Sequence, residues 1–79
     1  MNIYKVSQTE NRGYDTYDSF ICYALTEEDA ANQLPTGRHT WKDSYYAWCT
    51  NPSKTTVEYI GTSTYPVMAG LILSSFNAG

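Results

Sequence analysis

One histidine, two cysteines and five basic residues are all that this 79-residue chain offers to metal binding, nucleophilic catalysis and phosphate neutralisation. A structural or catalytic zinc site needs three or four converging ligands, and His39, Cys22 and Cys49 have no such spacing, so no metal is expected. Two cysteines are too few for a disulfide framework and are read as reduced thiols. His39 stands near Ser44 and Cys49 without the arrangement that would make either a nucleophile, and the chain has no phosphate-cradling loop, dinucleotide fingerprint or nucleophile elbow. No catalytic residue and no cofactor are therefore expected, and the chain is not read as an enzyme. A net charge of −3 argues against a partner as long and as densely charged as duplex nucleic acid. The longest apolar runs, Phe20 to Leu25 and Val67 to Leu73, are too short to span a bilayer, and Met1 to Val6 lacks the charged and apolar regions of an export signal. Neither a membrane nor export is expected, which places the chain in the cytoplasm. Asn51-Pro52-Ser53 is no glycosylation acceptor, because proline fills its middle position.

With 42% hydrophobic and only 16% charged residues, the chain is too apolar to stay disordered, and its length supports one hydrophobic core, hence a single domain over 1–79. Eight tyrosines and two tryptophans against two phenylalanines give most of the aromatic mass a polar handle, which suits half-wet positions and interfaces. Five of the eight acids, Asp15, Asp18, Glu27, Glu28 and Asp29, fall in one stretch, with Arg38 and Lys42 just beyond it. They are too few to imitate the phosphate array of DNA.

Asn2 to Ser7 reads as a first strand, and Ser19 to Ala24 as a continuous apolar strand covered on both faces. Between them, Thr9 to Ser19 reads as a turn-rich hairpin loop in which Gly13 takes positive φ and the aspartates close side-chain turns. Thr26 as N-cap, Glu27 and Glu28 in the first turn, Asp29 three residues after the cap and Leu25 poised to staple onto Ala30 predict a helix over 26–34, stopped by Pro35 and Gly37. Trp41, Tyr45 and Trp48, spaced i, i+4, i+7, predict a short helical or irregular insertion over 40–49 that Asn51-Pro52 closes. Thr55 to Ile60 alternates as a half-buried strand, and Leu71 to Phe76 gives a last one. The expected fold is a small α+β domain: a mostly antiparallel sheet of three or four strands with one helix on one face.

Three clusters are candidates for binding. Arg12, Tyr14, Asp15, Tyr17 and Asp18 put a cation, rings and carboxylates into one loop, which either grips a ligand or braces itself with Asp turns. Arg38, His39, Trp41, Lys42 and Trp48 place cations beside rings able to stack on a base, although packing onto the sheet explains most of these rings equally well. The polar end Ser74 to Gly79, with Asn77, is small and uncharged, as fits a terminus tucked into the fold or into a subunit contact.

Gly13-Tyr14-Asp15-Thr16-Tyr17-Asp18-Ser19, the acidic TEEDAANQLP segment, Trp41 and Trp48, VEYIG and the terminal GLILSSFNAG together resemble a group of small phage-encoded proteins over nearly the whole chain. Where such proteins carry a histidine before the proline that ends the first helix, this chain has Leu34. The resemblance implies a phage origin and a place among counter-defence proteins of the host cytoplasm. By that kinship the chain is expected to sequester a nucleotide-derived immune signal as a homo-oligomer, with Arg12, Arg38 or Lys42 on phosphates and Tyr14, Tyr17, Trp41 or Trp48 on the base. The alternative is a stoichiometric inhibitor of a host defence protein, such as CRISPR-Cas or another anti-phage enzyme, that uses the acidic stretch from Asp15 to Asp29 as its contact face.

Overall fold

The strand and helix signals resolve into β1 (Asn2–Gln8), β2 (Thr16–Ala24), α1 (Glu27–Ala31), a 3-10 turn (Pro52–Lys54), β3 (Thr55–Thr62) and β4 (Gly70–Asn77). The computed structural model describes residues 1–37, 41, 47–64 and 69–77, with 76 and 77 described by backbone alone. The result is an α+β fold built on an open four-stranded sheet in the order β3-β1-β2-β4, with every neighbouring pair antiparallel. β1 and β2 form the central hairpin, with Tyr4 opposite Cys22 and Val6 opposite Phe20. β3 and β4 are the two edges.

Burial alternates along the central strands because only one face of the sheet is covered. Tyr4, Val6 and Gln8 on β1, and Phe20, Cys22 and Ala24 on β2, are buried with Ala30, Leu34, Trp48 and Cys49 above them. Each large apolar side chain withdrawn from water in this way contributes roughly 1.5–3 kcal/mol. Ser19, Ile21 and Tyr23, one residue out of phase, are only half-buried. The continuous apolar run of β2 thus proves to be a central strand covered on one face, since a chain this short supplies one layer of cover and no more. Phe20 and Trp48 pack at 5.3 Å between centroids with their planes tilted by 52°. Tyr4 meets Tyr59 edge to face at 5.8 Å. The Trp48 indole N–H is buried with no acceptor among the described residues.

α1 begins as its sequence dictates: Thr26 is extended and its hydroxyl accepts from the Asp29 backbone N–H at 3.1 Å. It ends earlier than the expected residue 34. Asn32 caps it, with the side-chain amide donating to the Glu28 carbonyl at 2.8 Å, and Leu34 continues into the core from a turn closed by the Gly37 N–H on the Leu34 carbonyl at 3.0 Å. Leu25, expected to pack back on Ala30, is 68% exposed. The 3-10 turn has Asn51 as its cap, whose side-chain oxygen accepts from the Ser53 N–H at 3.0 Å, and Pro52 in its first turn, where a missing N–H costs nothing. The expected insertion over 40–49 lies largely outside the described residues; of it, Trp41 is half-buried, and Ala47, Trp48 and Cys49 are buried.

Candidate ligand-binding cleft

The loop at the far end of the β1–β2 hairpin is shorter than its composition implies, because β2 starts at Thr16 and takes Tyr17 and Asp18 into the sheet. What remains is firmly tied down. The buried Gln8 amide donates to the carbonyls of Asn11 at 2.6 Å and Tyr17 at 2.9 Å, and its oxygen accepts from the Asn11 N–H at 2.7 Å. Asn11 reaches the Trp48 carbonyl at 3.3 Å, and the Tyr17 N–H donates to the Ala47 carbonyl at 2.9 Å. Glu10 accepts from both the backbone N–H and the hydroxyl of Thr50, at 2.8 and 2.9 Å, which holds its carboxyl below the usual pKa. The positive φ expected at Gly13 occurs instead at Asp15, at 60°, a conformation that Asp tolerates better than most residues. The adjoining Thr16 hydroxyl donates to the Gly13 carbonyl at 2.6 Å.

On this braced base Arg12, Asp15 and Asp18 are exposed and Tyr14 is 78% exposed, whereas Tyr17 is half-buried against the core. Asn77 pairs in register with Thr16, so the end of β4 belongs to the same end of the sheet.

The concave surface lies at the opposite end. A cleft of about 440 Å³ opens between the end of α1, the turn that follows it and the start of β4, lined by Asp29, Asn32, Gln33, Leu34, Gly37, Ala69, Gly70 and Leu71. Its walls are fixed. Asn32 is held by its bond to Glu28, the Gln33 amide donates to the Tyr23 carbonyl at 2.9 Å, and the Ser74 hydroxyl ties β4 to the Pro35 carbonyl. Gly37 has φ 77°, where a side chain would be strained, and it lies close beside the Leu71 side chain. The half-buried Trp41 is anchored beside the cleft, its indole N–H donating to the Asn32 carbonyl at 3.0 Å.

The two aromatic-basic clusters of the sequence therefore separate. Arg12, Tyr14, Asp15 and Asp18 gather at the hairpin end with the backbone of Asn77, and Trp41 stands at the cleft. Arg38, His39 and Lys42 lie outside the described residues, with Arg38 following Gly37 directly in the chain. Trp48 belongs to neither surface: at 0% exposure on Phe20 it is a packing residue, and a ring so enclosed has no face to offer a ligand. Sequence reasoning did not mark Asn32, Gln33 or Leu71, and it read Asp29 only as part of an acidic contact face and of the helix start. Asp29 was explained by the helix start, a role it does fill, and the two glycines at 37 and 70 were the only hint that two segments approach closely there. Chemically the described lining offers one carboxylate, two side-chain amides and an apolar floor, a set that recognises sugar hydroxyls and the hydrogen-bonding edge of a base.

Among the described residues no group of three or more His, Cys, Asp and Glu converges on a point, and no helix is long and apolar enough to cross a membrane. Cys22 and Cys49 are free and buried. No protein family, curated protein or solved structure matches the chain.

Proposed function

We propose that this chain is a stoichiometric binding protein that sequesters a nucleotide-derived small molecule, in the manner of phage counter-defence proteins that remove a host immune signal. The observation that carries this reading is the cleft. Its volume, about 440 Å³, is in the range of small-molecule sites, and its lining includes Asp29, Asn32 and Gln33, with the Trp41 indole bonded to the Asn32 carbonyl. A carboxylate facing ribose hydroxyls is a recurrent solution for nucleotides, and amides suit a base edge. Titration calorimetry against adenine and guanine cyclic dinucleotides and cyclic ADP-ribose isomers tests the reading. Binding by one class is expected, weakened roughly tenfold or more in Asp29→Ala through loss of charge-assisted hydrogen bonds. Absence of heat across the whole set with folded protein would refute it.

A second reading, inhibition of a host defence protein, is favoured by one separate observation: Tyr14 is 78% exposed on a loop that is otherwise tightly hydrogen-bonded. A rigid aromatic anchor held out toward solvent is what a protein contact uses. If Tyr14→Ala abolished co-purification of a host enzyme while nucleotides gave no heat, this reading would replace the first.

A further inference from the structure

The polar side chains of the cleft are engaged before any ligand arrives, and the manner of their engagement fixes what they still offer. The Asn32 side-chain amide donates to the Glu28 carbonyl at 2.8 Å, and the Gln33 amide donates to the Tyr23 carbonyl at 2.9 Å. A backbone carbonyl only accepts, so in both cases the nitrogen must face it and the oxygen is the end left over. Neither amide oxygen has a partner among the described residues. The third polar side chain of the lining, the exposed Asp29, serves the Thr26 cap through its backbone N–H, and its carboxylate also only accepts. The described cations stand elsewhere: Lys5 in β1, Arg12 on the hairpin loop and Lys54 in the 3-10 turn. Each described polar side chain of the lining therefore offers an acceptor.

The two amides are also fixed in place. Asn32 is pinned twice, since its backbone carbonyl receives the Trp41 indole N–H at 3.0 Å. Gln33 is held by Tyr23, which is the strand partner of Gly70 in the opposite wall. Side chains already immobilised lose little freedom when a ligand binds, so their preference for one pattern of donors is expressed in affinity.

We propose, resting on the cleft as a nucleotide site, that the base it takes is guanine and that Asn32 and Gln33 select it. Guanine alone among the four common RNA bases carries two adjacent donors, N1–H and the 2-amino group, on its Watson–Crick edge. Adenine sets its N1 lone pair beside the 6-amino group, cytosine its N3 lone pair beside the 4-amino group, and uracil holds one N–H between two carbonyls. Against two fixed acceptors guanine makes two hydrogen bonds, whereas adenine and cytosine make one and bring a lone pair against an oxygen. The Asp29 carboxylate accepts from ribose hydroxyls, and its charge disfavours a phosphate in the same space, so base and sugar enter while the phosphates stay toward solvent.

Titration calorimetry with matched probes tests the choice of base. Cyclic di-GMP is expected to bind about tenfold tighter or more than cyclic di-AMP, the equivalent of one added hydrogen bond and one avoided repulsion between acceptors. Cyclic di-IMP, which keeps N1–H and lacks the 2-amino group, should fall between them. Gln33→Met keeps the length of the side chain and removes its acceptor, and Asn32→Ala removes the other; in each, the ratio of the two affinities is expected to drop to about threefold or less. That ratio separates selection from support, because a purely structural loss weakens both dinucleotides alike, and far-ultraviolet dichroism checks that the variants are folded. Cyclic di-AMP bound by the wild type as tightly as cyclic di-GMP would overturn the choice of guanine and leave the cleft as a nucleotide site. A guanine preference unchanged in both variants would also overturn it, by putting the selection on other residues. No heat from any of the three probes would overturn the nucleotide reading along with it.

Discussion

The two ends of the sheet are built from similar residues and present opposite surfaces. At the hairpin end, Gln8, Glu10 and Asn11 use their polar side chains to hold backbone, so the loop is stiff and Arg12, Tyr14 and Asp15 project from it. At the cleft end, Asn32 and Gln33 are also tied to backbone carbonyls, but here they form walls, because the end of a short helix stands apart from the start of the edge strand β4. Identical chemistry yields a convex handle in one place and a concave site in the other. The difference is set by where the chain turns, not by which residues it uses.

That contrast can be broken from the core outward. Trp48 supports the hairpin end, since its carbonyl and that of Ala47 receive Asn11 and Tyr17, and its ring fills the covered face. Trp48→Ala is expected to cost about 3–5 kcal/mol of stability in urea unfolding, the scale for emptying a large aromatic site. Trp48→Phe should cost clearly less, because it keeps a ring and removes an indole N–H that has no acceptor among the described residues; equal losses would show that the ring's volume is not what matters. Gln8→Ala removes the three hydrogen bonds that its amide makes to the Asn11 N–H and to the carbonyls of Asn11 and Tyr17, and a cost of about 1–3 kcal/mol is expected. Faster hydrogen exchange should then be confined to the loop, and exchange spreading to α1 would mean that the two ends are not independent.

At the cleft end, Gly37→Ala forces a side chain into φ 77° and is expected to cost about 1–2 kcal/mol, read from the same unfolding curves. Loop residues on the surface should matter least. Tyr14→Ala is expected to change stability by no more than about 0.5 kcal/mol, since its exposed ring supports nothing; a larger loss would make Tyr14 part of the brace.

Much of the fold was legible in the chain. β-branched and aromatic runs marked the strands along the chain, though not their order in the sheet, and Thr26 with its following acids marked the helix start. The shortfalls share a physical cause. Thr16, Tyr17 and Asp18 look like turn residues, yet the pairing of Thr16 and Tyr17 with β4 extends β2 through them, and at the helix end the Asn32 side chain bonds back to the Glu28 carbonyl. Trp48 followed a helical spacing with Trp41, which says nothing about which ring goes inside. The cleft was the least legible part, because its walls come from residues 29–37 and 69–71, brought together only by the antiparallel return of β4 to the far edge of β2.

The account stands or falls on the cleft being the place where a small molecule binds. Amide and indole chemical-shift mapping during titration with the cyclic nucleotide that gives heat is the most direct measurement. Progressive shifts centred on Asp29, Asn32, Gln33, Gly70 and Leu71, together with the Trp41 indole N–H, are the predicted result. Shifts that leave those residues unmoved, with changes confined to other parts of the sheet, would contradict it.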